Sequence, residues 1–282
     1  MAQGTSPRED TAGGGAFPPA IGALIIGDEI LTGKRADRHL AHVIATLAPR
    51  GLTLAWAHYE GDDRDALAAF LAKTFARGDV VFSFGGVGAT PDDHTRQAAA
   101  MALGLPLEPH PDAVAELEAQ FGAAAYPHRV LMAEFPAGAT IIPNPVNRVA
   151  SFAIRDHYFF PGFPQMAWPM LDWVLATREP PLAAPPSGER AIVVYGAGES
   201  QLLPLMNSCV AHFPELKLFS LPSFLPDGGR RLELGVRGDI ASLDAARAEL
   251  VAGVEAGGFR WEPVVATAVP ATGGAPPGES TP

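Results

Sequence analysis

Three short apolar runs, residues 21–26, 52–58 and 80–84, alternate with stretches whose apolar residues recur every three or four positions. Leu40, Val43, Ile44 and Leu47 stand at i, i+3, i+4 and i+7 and predict an amphipathic helix over 37–48, stopped by Pro49 and Gly51. Leu67, Phe70, Leu71 and Phe75 mark a second over 63–76, with Gly78 as its stop signal, and a third runs from about 91 to 103 before Gly104. The order βαβαβα predicts an α/β, doubly wound, mostly parallel sheet with helices on both faces. Ligands of such sheets bind beyond the carboxyl ends of the strands.

A second pattern follows: strand over 190–195, helix 199–212, strands 216–221 and 230–236, helix 241–256. The expected organisation is a tail (1–19), a large domain (20–176), a Pro-rich linker (177–188), a smaller α+β domain (189–262) and a second tail (263–282). The 282 residues are 48% hydrophobic and 18% charged, a composition that supports packed cores and excludes a disordered chain. No apolar run reaches the roughly 18–20 residues that span a bilayer, and the first residues lack the apolar core of a secretory signal. Neither a membrane nor a nucleic-acid partner is expected, because a net charge of −11 opposes binding to phosphate backbones. Cys209 is the sole cysteine, which leaves no intramolecular disulfide or multi-cysteine metal site; the cytoplasm is the expected location. Cys209 falls within a predicted helix and reads as a small core residue.

The densest chemistry lies in Gly85-Gly86-Val87-Gly88-Ala89-Thr90-Pro91-Asp92-Asp93, between a strand and a helix. The glycines let the backbone turn tightly and bring N–H groups close to a ligand. Thr90 suits an N-cap, Pro91 the first helical position, and Asp93 the third residue of a capping box. The helix N-terminus would then favour a phosphate. The plainer reading is a tight turn before a capped helix. Asp92 and Asp93 side by side would repel a phosphate unless a divalent cation lies between them. Gly27-Asp28-Glu29 after the first strand and Gly61-Asp62-Asp63 after the second add acids at the same sheet edge. Each alone reads as a cap, and together they could make an oxygen-lined metal and phosphate site. The eight histidines have no zinc-like spacing, and Tyr195-Gly196 with Gly198-Glu199 reads as a strand-to-helix turn.

Ile26-Gly27-Asp28-Glu29-Ile30-Leu31-Thr32-Gly33, Gly61-Asp62-Asp63 and the segment from Gly85 to Thr95 together resemble the MoaB/Mog molybdopterin-binding domain. The form is that of CinA (competence/damage-inducible) proteins and of the N-terminal part of eukaryotic FAD synthases. Asn144-Pro145-Val146 and Phe160-Pro161-Gly162-Phe163-Pro164 follow in the expected order. Tyr195 to Ser200 and Leu221-Pro222-Ser223 look like the KH-like middle domain of CinA. The deamidase domain that closes full-length CinA is not expected among these residues.

The resemblance implies a homo-oligomer, dimer or trimer, that binds molybdopterin or a nucleotide at the glycine loop. It implies ligand contacts from Gly27, Asp28, Glu29, Gly85, Gly86, Gly88 and Thr90, catalytic roles for Asp62 and Asp93, and metal contacts from Asp92 and Asp93. The partner would be a small phosphorylated ligand and the cofactor a divalent ion, magnesium, manganese or cobalt. The chain departs from the family at four places: Asp37-Arg38-His39 for Asp-x-Asn, Ala89 for proline, Asn147 to Phe152 for the glycine-rich second loop, and Met166 for glutamate. The second loop's loss removes close backbone approach, since Ser151 tolerates positive φ less than glycine does. Metal-dependent hydrolysis of a nucleotide pyrophosphate such as ADP-ribose, FAD or NAD is the leading expectation. A non-catalytic pterin- or nucleotide-binding protein is the second, and adenylylation of molybdopterin the third.

Overall fold

The computed structural model describes residues 20–177 and 187–264, which fall into two compact units divided after Ala184. The expected tail over 1–19 lies outside the described residues, as do 178–186 of the expected linker and 265–282 of the second tail.

The first unit is built on a six-stranded sheet in the order β2-β1-β3-β8-β7-β6. Its strands are β1 (Ile21–Ile26), β2 (Trp56–Glu60), β3 (Val80–Phe84), β6 (Thr140–Ile142), β7 (Ser151–Ile154) and β8 (His157–Phe160). β2, β1, β3 and β8 run parallel, while β7 and β6 pair antiparallel beyond β8. The helices are α1 (Asp28–Leu31), α2 (His39–Leu47), α3 (Arg64–Arg77), α4 (Thr95–Leu103), α5 (Pro111–Phe121) and α6 (Pro164–Thr177). A two-stranded ribbon joins β4 (Leu107–Pro109) to β5 (Glu134–Pro136). Alternation along β3 shows why both faces must be covered. Val80, Phe82 and Phe84 enter the core under α2 and α6, while Val81 enters the core under α3, α4 and α5. The sheet is thus mixed and mostly parallel, with helices on both faces, as expected.

Two helix starts are set by aspartates. Asp63 Oδ1 accepts from the amides of Asp65 (2.9 Å) and Ala66 (2.8 Å) and caps α3. Asp37 accepts from the amides of His39 (2.7 Å) and Leu40 (3.2 Å) at the start of α2. The second strand begins at Trp56, four residues later than the apolar run suggests. Leu52 and Leu54 before it fill the α2 side of the core from irregular backbone.

The second unit is a four-stranded antiparallel sheet, β10-β11-β9-β12, made of β9 (Ser187–Tyr195), β10 (Lys217–Phe224), β11 (Arg230–Asp239) and β12 (Arg260–Pro263). Helices α7 (Glu199–His212) and α8 (Ile240–Ala256) bury Leu202, Met206, Cys209, Leu243 and Leu250 against it. This is the expected α+β region, with β12 added and β9 beginning at Ser187, so that Ser187 and Gly188 belong to a strand and not to a linker. β10 is an edge strand, with Leu221 and Phe224 exposed on it. No helix among the described residues is long and apolar enough to cross a membrane.

Candidate functional site

The chain passes from β1 outward to β2, then returns to place β3 on the other side of β1. This reversal puts a crevice at the carboxyl ends of β1 and β3, where open α/β sheets bind ligands. A cavity of about 560 Å³ opens there, bordered by Ile26, Gly85 and Pro161, the last following the end of β8. Gly27, Glu29, Asp62, Gly85, Gly86, Gly88, Thr90, Asp92 and Asp93 line it; among the residues expected at the site, Asp28 alone does not.

The glycine loop is shaped by contacts that admit no side chain. Gly85 has φ +110°, and a Cβ there would lie 2.2 Å from the Ile26 carbonyl oxygen. Gly86 has φ +64°, and a Cβ there would lie 2.4 Å from Thr95 Oγ1. Thr95 closes the loop from the far side, its hydroxyl donating to the Gly85 carbonyl (2.9 Å) and its amide to that of Gly86 (2.9 Å).

The start of the next helix corrects the sequence expectation. α4 begins at Thr95 with His94 in the cap position, so Thr90 is not an N-cap and Pro91 is not its first residue. Thr90 to Asp93 instead form a turn: the Asp93 amide donates to the Thr90 carbonyl (3.0 Å), and the Thr90 amide donates to Asp93 Oδ2 (2.9 Å). The Thr90 hydroxyl lies 2.6 Å from both Asp92 Oδ1 and Asp93 Oδ2. These local side-chain bonds satisfy the backbone before a helix can, which delays its onset. The turn of glycines therefore stands apart from the start of α4, with the acidic turn between them.

The acidic loops after β1 and β2 are tied together. Asp62 Oδ2 accepts from the Asp28 amide (2.9 Å), and the Asp62 amide donates to Asp28 Oδ1 (3.3 Å). Burial holds the Asp62 carboxyl above its ordinary range, and the charges of Asp28, Glu29 and Asp92 push the same way against the bond from the Asp28 amide. Asp92 moves oppositely, since the Thr90 hydroxyl favours its charged form. Among the described residues no three His, Cys, Asp or Glu side chains converge as a ready-made metal cage.

Two residues shape the site without having been expected in it. Arg96, buried on α4, donates to the Gly88 carbonyl and holds the loop from beneath. Its signal was a cation on the helix face shared with Ala99, Ala100 and Leu103. His39, at the place of the family's asparagine, is buried, stacks on Phe84 with ring centroids 4.5 Å apart, and donates from Nε2 to the Gly162 carbonyl (3.1 Å). Burial lowers its pKa, so the ring serves as a neutral donor.

The altered second loop still lines the cavity through Asn144, Asn147, Val149, Ala150 and Ser151. Its left-handed residue is Arg148 (φ 58°), while Ser151 opens β7 in the sheet. Asn144 Oδ1 accepts from the Val146 amide (3.0 Å) and Asn147 Oδ1 from the Val149 amide (3.1 Å), so side-chain turns replace glycine flexibility. Asn147 Nδ2 also lies 3.1 Å from the Met166 sulfur, joining two of the four departures in one contact.

The chain is similar to several known proteins. A CinA-like protein of Anaeromyxobacter sp. (strain Fw109-5) is 32% identical over 245 residues, covering 79% of this chain and 60% of its own length. Another, from Citrifermentans bemidjiense, is 35% identical over 159 residues, covering 54% of this chain and 38% of its own. The chain thus spans 60% or less of the length of these two relatives. The crystal structure of CinA from Thermoplasma acidophilum, a protein described as having unknown function, superposes with a TM-score of 0.51 at 26% identity, over 56% of this chain and 97% of that one. Residues 22–183 match the family described as the probable molybdopterin binding domain, and the chain belongs to that family.

Proposed function

We propose that the cavity between the carboxyl ends of β1 and β3 binds a pterin or nucleotide by its phosphate, and that the protein hydrolyses a nucleotide pyrophosphate of the ADP-ribose, FAD or NAD class with a divalent metal ion. The observation that carries this reading is the joining, in one cavity, of a side-chain-free glycine turn with the carboxylates of Glu29, Asp62, Asp92 and Asp93. These are hard oxygen donors suited to magnesium or manganese. With no three-residue cage among the described residues, Asp62, Asp92 or Asp93 would give an ion there one or two carboxylate oxygens and leave its other positions to ligand oxygens and water. When bound, such an ion neutralises phosphate charge and makes water more acidic.

The protein's own residues supply the rest. Gly85 and Gly86 let the backbone approach a phosphate without steric conflict. Asp62, held above the ordinary carboxylate range, is a stronger base than Asp92 and is placed to take a proton from water. Asp93 shapes the turn through Oδ2 while the turn presents Asp92 to the cavity.

A second reading, a binding protein without turnover, draws support from the engagement of Asp93 Oδ2 by both the amide and the hydroxyl of Thr90. One assay separates the two. Purified protein is incubated with ADP-ribose, FAD and NAD in the presence of magnesium, manganese or cobalt, and products are resolved by chromatography. Metal-dependent cleavage that is lost in Asp62→Asn and Asp93→Asn supports the hydrolase. Binding by folded protein without cleavage of any substrate supports the second reading.

A further inference from the structure

We infer that Arg35 is the residue that makes this cavity select phosphorylated ligands over their dephosphorylated counterparts. The inference rests on the phosphate-binding reading above. Among the described residues lining the cavity, Arg35 is the one cation, set among Glu29, Asp62, Asp92 and Asp93. In a chain with 31 acidic and 20 basic residues, a wall of this sign repels an approaching phosphate. Arg35 answers that repulsion where it arises.

The guanidinium is exposed, and no carboxylate among the described residues pairs with it, unlike Arg77, Arg148, Arg190, Arg237 and Arg260. It lies over the Phe163 ring, 5.8 Å from the centroid, and Phe163 also lines the cavity. The supports of this pair are fixed. The Arg35 amide donates to the Glu29 carbonyl (2.9 Å), and the Gly162 carbonyl just before Phe163 accepts from His39 Nε2 (3.1 Å). A flat aromatic face thus orients the fork while leaving its N–H groups open to a ligand. Two parallel N–H donors match two oxygens of a phosphate, a geometry that a lysine ammonium does not reproduce. A neutral nucleoside or flavin offers no such oxygens and gains nothing from Arg35.

The test is calorimetric binding, with calcium in place of magnesium so that binding is read without turnover, of two matched pairs to the full chain: ADP-ribose against adenosine, and FAD against riboflavin. Wild type, Arg35→Ala and Arg35→Lys are compared. In wild type the phosphorylated member of each pair binds more tightly. Arg35→Ala weakens that member by about tenfold or more, as expected for loss of a charged hydrogen-bonding pair, and leaves adenosine and riboflavin unchanged. Arg35→Lys recovers only part of the loss. Melting temperatures stay equal across the three proteins, because an exposed, unpaired side chain contributes little to the fold. Wild-type affinity for ADP-ribose and FAD in Arg35→Ala overturns this inference alone, as does an equal loss of both members of a pair. Failure of wild type to bind any of the four probes overturns the binding proposal itself, and this inference with it.

Discussion

The buried guanidinium of Arg96 donates to the Gly88 carbonyl through both Nε (3.2 Å) and Nη2 (2.7 Å). Its Nη1 reaches the carbonyls of Leu131 (2.6 Å) and Glu134 (3.1 Å). One side chain therefore fastens the glycine turn to the segment leading into β5. Arg96→Ala leaves three partly buried carbonyls without this donor and opens a cavity at a buried side chain, and should destabilise the fold by about 3 kcal/mol in urea denaturation. Arg96→Lys keeps the charge but lacks the planar fork and should recover less than half of that. Equal stability of Arg96→Lys and wild type would sink this account.

Asp62 gives a pH-dependent signature of the acidic cluster. Its carboxyl titrates above the usual range in the folded protein, so the fold binds the proton more tightly than the unfolded chain does. Stability from this group is greatest when it is protonated and is lost as pH rises from the ordinary carboxylate range through the raised value. Asp62→Asn should remove that dependence and stabilise the protein near neutral pH. The gain should be no more than about 1 kcal/mol, because the carboxyl is only partly buried and water still screens it. Denaturation midpoints between pH 4 and 7 measure it, and a variant less stable than wild type at pH 7 would contradict it.

His157 acts in the opposite direction on acidification. It is buried against Phe75, with ring centroids 3.9 Å apart, and its Nε2 lies 2.8 Å from Thr74 Oγ1. Burial, aided by the charge of Arg155, lowers its pKa to about 3. The unfolded chain takes up this proton first, so stability falls as pH drops below the ordinary histidine value, by about 2 kcal/mol at pH 5 relative to neutrality. His157→Gln removes the titration and should flatten the slope between pH 7 and 5, whatever its effect on stability at pH 7.

Cys209 should be silent to thiol reagents. It is buried in α7 among Leu202, Met206 and the strands of the second unit, and burial with the nearby Glu249 charge pushes its thiol up to about 11. Titration with a disulfide reagent at pH 8 should find no reactive thiol in the native protein and one per chain in denaturant. Rapid native labelling would show that the second unit opens readily.

Where the sequence alone succeeds, a strong local period meets a clear boundary. Val80–Phe84, set between Asp79 and Gly85, and Glu199–His212 are read to the residue. The strand-end placement of the acids and glycines follows from topology, and for that reason the cavity's lining was largely foreseeable. The failures have physical causes. Leu52 and Leu54 are core residues outside any strand, so apolar content misplaces the start of β2. Thr90 bonds to carboxylates within its own turn and gives up the cap expected of it. The strands β6, β7 and β8 span three or four residues each, too few to show a period. Arg35 and Arg96 gain their meaning only from Phe163 and Gly88, which the chain brings to them from far along its length or across a folded loop.

The open rim of the second unit has a consequence for how these molecules keep apart. β10 sits at the margin of its sheet and carries Leu221 and Phe224 outward, a combination that invites another strand to zip on. Between them stands Pro222, opposite Leu232 of β11. Proline is tolerated in such a strand where its nitrogen faces away from the neighbour, and that nitrogen carries no hydrogen. An incoming strand would meet a missing rung midway along the apolar stretch, and a fibre seeded at this margin would stall there.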